Sequence, residues 1–217
     1  ITAGFSEGYV RAGVMVPGDA AATAQNIVAS EGLFRLGFAA DLVAFLCDLV
    51  VSVLLYQLLK PVNKTLSLTA ALLRLLAHPA IASVNLLNHY MALQLLDGSD
   101  YLAVFSPDQL NALALFFLNM HTVGYLIAGA FFGLHCVLLG YLMVKSDGFP
   151  AWLGTMIIVA ALGYLINSFG NFLAPGQEEL FDNIVVGPAV LAEISLCLWL
   201  LIRGVLVRKT TSKAIGA

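Results

Sequence analysis

The sequence predicts an all-α, polytopic transmembrane helical bundle, and three observations carry that prediction. Of 217 residues, 60% are hydrophobic and only 11% are charged, with a mean hydropathy of +0.93. A soluble domain usually charges about a quarter of its residues, so this chain lacks the polar groups to clothe a water-facing shell. Its apolar residues also gather into five runs that each reach the roughly 20 residues needed to cross a bilayer. Finally, the runs are bounded by helix punctuation. Ser106-Pro107-Asp108-Gln109 has the form of a capping box with proline at the first helical position, and Gly148-Phe149-Pro150 and Gly187-Pro188 read as breaks followed by helix starts.

The elements follow in order within a single transmembrane domain, 1–217. Residues 1–11 are too short to cross and read as the outer end of a truncated span that begins upstream of Ile1. Asp19 is placed to cap a short helix over 19–31, ended by Gly32, whose alanine-rich, weakly amphipathic face suits the outward membrane surface. The full spans are expected at about 33–59, 66–96, 110–144, 151–173 and 188–207. His78-Pro79 predicts a kink in the second, because proline removes a backbone donor. The second and third runs are longer than one bilayer thickness at about 1.5 Å per residue, so they tilt or project on the Asp97–Pro107 side.

Loop charge sets an orientation. Lys60, Lys64, Lys145, Arg208, Lys209 and Lys213 mark one side. Asp97, Asp100, Asp108, Glu178, Glu179 and Asp182 mark the other. By the positive-inside rule the basic side, with the C-terminus, is cytoplasmic. The net charge of −3 leaves no basic footprint for nucleic acid. Cys47, Cys136 and Cys197 are scattered through apolar runs and form neither a disulfide framework nor a Cys-x-x-Cys site.

Several stretches resemble a known family. V-P-G-D-A-A-A-T-A at 16–24, L-L-K-P-V-N at 58–63, F-F-G-L-H-C at 131–136 and L-W-L-L-I-R-G-V at 198–205 are similar to an uncharacterised bacterial multi-pass membrane family, the domain of unknown function numbered four-three-eight-six. The resemblance covers nearly the whole chain and implies a bacterial inner-membrane protein. It implies no activity and lends no catalytic residue.

Ionisable groups in a span are costly and usually turn towards the bundle interior. Counting from the Lys-rich ends at about 1.5 Å per residue puts Asp48, Arg74 and His135 each roughly 15 Å deep, so an Asp48–Arg74 pair with His135 nearby is expected. Asp41 lies two turns from Asp48 on nearly the same face, and Asn167 and Glu193 fall in a second, outer layer. The candidate polar cluster is therefore Asp41, Asp48, Arg74, His78, His135, Asn167 and Glu193. Glu193 is the best single candidate for a proton carrier, being an acid with no nearby cation in sequence.

Four function classes compete. The cluster can line an intramembrane pocket for a small molecule, ion or proton. Alternatively the polar groups are structural glue in an accessory subunit, with the small residues Gly124, Ala128, Gly129, Gly133, Gly154, Gly163 and Gly170 admitting a helix partner or a second copy. A third reading has haem held between His78 or His89 on one span and His121 or His135 on the next; otherwise no cofactor is called for. The enzyme reading lacks a motif, since no G-x-S-x-G, H-E-x-x-H or P-loop is present. Lipid is the one partner every reading shares.

Overall fold

The computed structural model describes residues 2–203. The expected end of the fifth span to 207 and the charges Arg208, Lys209 and Lys213 lie outside the described residues. The fold is all-α. The first helical segment, α1, joins Thr2–Phe5, a wide π turn over Ser6–Arg11 and Ala12–Val14. Then come α2 (Ala20–Ala29), α3 (Glu31–Leu59), α4 (Lys64–Gln94), α5 (Pro107–Lys145), α6 (Ala151–Leu173) and α7 (Glu178–Ile202). The helices α3 to α7 are long and apolar enough to cross a membrane.

Local chemistry explains most boundaries. Asp19 accepts from the Ala22 amide at 2.9 Å and starts α2. Ser106 and Gln109 bond reciprocally, amide to side chain, at 2.8 and 3.3 Å, forming the capping box that opens α5. Gly98 and Gly176 take φ of 73° and 89° in the turns after α4 and α6, a region open to glycine at little cost. In the first of these turns Ser99 donates to Asp97 through both its amide and its hydroxyl, which holds the exposed carboxyl below its ordinary range.

Two boundaries differ from expectation. Gly32 does not end α2; Ser30 breaks the chain, with its hydroxyl bonded back to Asn26, and Gly32 lies inside α3. Pro79 lies inside α4, where the sequence puts it. A π turn over Leu76–Ala82 absorbs the lost hydrogen bond, so the helix continues. Gly187-Pro188 does not open α7, which already runs from Glu178. Val185 and Ala189 flank Pro188 and are buried, so packing offsets the missing donor.

The chain divides into two compact units. The first comprises residues 1–54 and 72–132. Its core packs Val10 and Val14 of α1 with Ile27, Phe34, Ala92, Leu93, Ala114 and Leu118. The second comprises, among the described residues, 55–71 and 133–203, and within it α6 packs along α7.

Candidate functional site

The most completely buried polar group of the first unit is built around Asp41, which has no exposed surface. The Arg11 guanidinium donates Nη1–H to Asp41 Oδ2 at 2.7 Å, and the same nitrogen lies 3.0 Å from His89 Nδ1. His89 Nε2 lies 3.0 Å from the Phe34 carbonyl. A proton on Nε2 and a lone pair on Nδ1 satisfy both contacts. Ser6 donates its hydroxyl to Asp41 Oδ2 at 2.8 Å and sits equally close to the Gly37 carbonyl. Glu7, one turn before Arg11, accepts from Arg11 Nε at 2.6 Å and bonds Nη2 as well.

Backbone proximity makes this arrangement possible. A Cβ at Gly37 would meet Val10 at 2.9 Å and the Ser6 hydroxyl at 3.3 Å, so α1 approaches α3 only because residue 37 has no side chain. A Cβ at Gly124 would overlap the Asn85 amide. Without one, Asn85 donates to the His121 carbonyl at 2.7 Å while the His121 ring returns Nδ1–H to the Asn85 carbonyl at 3.2 Å.

His121 links this exchange to the Arg11 cluster. Its ring centre is 5.9 Å from that of His89 and 4.9 Å from that of Tyr125, and the Arg11 guanidinium lies 5.6 Å from the centre of the Tyr125 ring. Two acceptor atoms of this group, Asp41 Oδ1 and His121 Nε2, are buried and have no hydrogen-bond partner among the described residues, while the Tyr125 hydroxyl faces the Arg11 guanidinium. Since His121 Nδ1 carries its proton, Nε2 offers a lone pair. The set is thus two acceptors and one hydroxyl that can serve either way.

The other predicted residues fall elsewhere. In the first unit Arg74 Nη2 lies 2.5 Å from Asp48 Oδ1, the pairing the depth estimate anticipates, and His78 Nδ1 binds the second carboxylate oxygen. The π turn at Pro79 sets His78 in place for this bond. Phe132 walls the group, 5.3 Å from the Arg74 guanidinium and 4.7 Å from the His78 ring. In the second unit, buried His135 bonds the Ala70 carbonyl through Nδ1 at 2.7 Å. Asn167 donates to Asp182 at 2.7 Å. Glu193 lies on an exposed face of α7 and accepts from the Tyr164 hydroxyl at 2.5 Å.

The predicted cluster is therefore distributed over several local groups. Ser6, Glu7, Arg11 and Tyr125 were not anticipated. Arg11 carried a usable signal, since it ends an apolar stretch at a position that no loop-charge argument needs. An open apolar groove of about 600 Å³ in the first unit, lined by Val28, Leu96, Leu102, Phe105 and their neighbours, includes none of the predicted site residues. Among the described residues no group of three or more His, Cys, Asp or Glu is placed to hold a metal ion. His89 spends both ring nitrogens on protein partners and so offers no lone pair to a haem iron.

Residues 1–204 match the family described as "Domain of unknown function (DUF4386)". The chain belongs to this family. The DUF4386 match spans α1 to α7 and so covers both polar groups of the first unit and the Tyr164–Glu193 pair. The chain is also 30% identical over 157 residues to an "Uncharacterized protein" of Archaeoglobus fulgidus, across 72% of this chain and 76% of the relative. That relative is archaeal, so the likeness does not assign this DUF4386 chain to a bacterium. No solved structure matches it.

Proposed function

We propose that this multi-pass membrane protein holds and relays a proton at the Asp41–Arg11–His121–Tyr125 group of its first unit. The observation that carries the reading is the pair of buried, unpartnered acceptors, Asp41 Oδ1 and His121 Nε2, beside an ion pair and the Tyr125 hydroxyl. A buried polar atom left unsatisfied costs about 1–3 kcal/mol. Two such atoms in one buried group are a steep outlay for packing alone. Two lone-pair acceptors and a hydroxyl suit a water that carries a proton, and intramembrane acid–histidine sets commonly serve as proton relays. Among the predicted residues this reading takes Asp41 as the binding carboxylate. Arg11 fixes its position and His89 orients Arg11.

A structural role is favoured for Asp48, Arg74 and His78. Both oxygens of that carboxylate are engaged by the two cations or donors facing it, and a buried pair of this kind fixes helix register. His135 and Asn167 fit the same role. The reading retains the orientation derived from loop charge, in the cytoplasmic membrane with the C-terminus inside.

The test is proton flux into vesicles that enclose a pH-sensitive dye and are driven by a potassium diffusion potential. Wild-type protein should acidify the lumen faster than empty vesicles do. Tyr125→Phe keeps the ring against His121 and Arg11 and deletes only the hydroxyl, and it should reduce the rate tenfold or more. A wild-type rate equal to that of empty vesicles, or a Tyr125→Phe rate equal to wild type, defeats the proposal.

A further inference from the structure

The open groove of the first unit lies between α2 and the turn that joins α4 to α5. The sequence on each side explains its form. On α2, Ala24 and Val28 make one row and Gln25 and Ala29 the next, each pair at i and i+4. Alanine at two of these four positions leaves space that a larger side chain would fill. On the other wall, Gly98 takes φ of 73° and sends the chain into a single 3-10 turn, Asp100–Leu102. That turn buries Leu102 and leaves Asp100 exposed.

The groove is apolar and open. Val28 and Phe105 within it are large apolar side chains left exposed, and so are Tyr101 and Val104 next to it in sequence. Exposed apolar patches of this kind mark ligand grooves or docking sites. A volume of about 600 Å³ is that of a small-molecule site.

Charge decides what kind of molecule suits it. Residues 12–34 and 75–144 supply the whole lining and contain no Lys or Arg. Asp100 lines the groove and makes no ion pair with a described residue. Asp97 and Asp108, also exposed, adjoin the lining residues Gly98 and Pro107. Arg35 acts on Asp97 from nearby, but Glu31 pairs with it at 2.7 Å. An apolar trough with a negative rim complements an apolar body that carries a positive charge. A phospholipid is a poorer match, because its phosphate meets the same carboxylates and like charges repel.

We propose that this groove binds a small lipophilic cation, with its apolar body against Leu96, Leu102 and Phe105 and its charge beside Asp100. The side-chain amides of Gln25 and Asn111 add polar lining to the same groove. The groove shares no residue with the Asp41 group, so the two sites stand or fall separately.

The test is equilibrium binding of tetraphenylphosphonium to the full-length protein in nanodiscs of phosphatidylcholine, with binding to protein-free nanodiscs subtracted. Tetraphenylborate, of like size and opposite charge, is the control. The cation should bind saturably and the borate about tenfold more weakly or less. Asp100→Asn should weaken the cation about threefold, the worth of one exposed charge pair, and leave the borate no weaker. Ala29→Phe fills the groove from an exposed position and should abolish saturable binding of the cation while unfolding stays as in wild type. Tyr125→Phe should leave binding unchanged. Equal binding of the two ions, or an Asp100→Asn affinity equal to wild type, overturns the charge selection. Binding that does not saturate, or that folded Ala29→Phe retains, overturns the site. Cation binding lost when phosphatidylethanolamine replaces phosphatidylcholine gives the groove to a lipid and overturns the proposal.

Discussion

Replacing Arg11 by leucine isolates the central ion pair of the first unit. The guanidinium and the Asp41 carboxylate sit 2.7 Å apart, with side-chain exposures of 7% and 0%. Removing the cation leaves a buried carboxylate whose remaining donor is the Ser6 hydroxyl. Breaking a buried pair from one side typically costs about 3–5 kcal/mol, because the surviving charge is stranded. Arg11→Leu should therefore lose about that much stability. Asp41→Asn is milder, since Arg11 keeps Glu7. The double variant Arg11→Leu/Asp41→Asn strands no charge at position 41, leaving only the half-exposed Glu7 without its cation, and should recover about 2 kcal/mol or more relative to the sum of the two single losses. The assay is reversible unfolding in mixed micelles with rising dodecyl sulfate, followed by far-ultraviolet circular dichroism, with free energies extrapolated linearly. A single-variant loss below about 1 kcal/mol, or strictly additive losses in the double variant, would refute the reasoning that this pair is buried and mutually dependent.

Two further outcomes follow from the structure. A Cβ at Gly140 would lie 2.5 Å from the Gly154 carbonyl oxygen, whereas one at Gly32 meets nothing within 4 Å. Gly140→Val should then cost about 1–3 kcal/mol or more by overpacking a helix contact, while Gly32→Ala inside α3 should gain about 0.5–1 kcal/mol; the same unfolding assay reads both, and equal effects would contradict the close α5–α6 approach. Asp97, held below its ordinary range by the two Ser99 bonds, contributes stability above its unfolded value and loses that contribution as pH falls through its folded value. In a carboxyl chemical-shift titration Ser99→Ala should move the Asp97 midpoint up towards the ordinary value, and an unmoved midpoint would mean that Ser99 is not the cause.

The five apolar helices were legible in the sequence because crossing hydrocarbon is a constraint on each segment alone: length and apolarity suffice, with no reference to a neighbour. The capping box at Ser106 and the Asp19 cap were legible for the same reason, since their partners lie three residues away. The helix rise also brought Asp48 and Arg74 to one depth, and depth was enough to pair them. What only the tertiary structure decided is which faces meet. Depth says nothing about rotation around a helix axis. Accordingly Asp41 was grouped with Asp48, yet it turns to Arg11, a residue 30 positions away that reaches it only because α1 approaches α3 at Gly37. The same limit hid Tyr125 and set Glu193 against Tyr164. Pro188 lies inside a helix because packing around it offsets a lost hydrogen bond, and the energy of that packing belongs to the assembled fold.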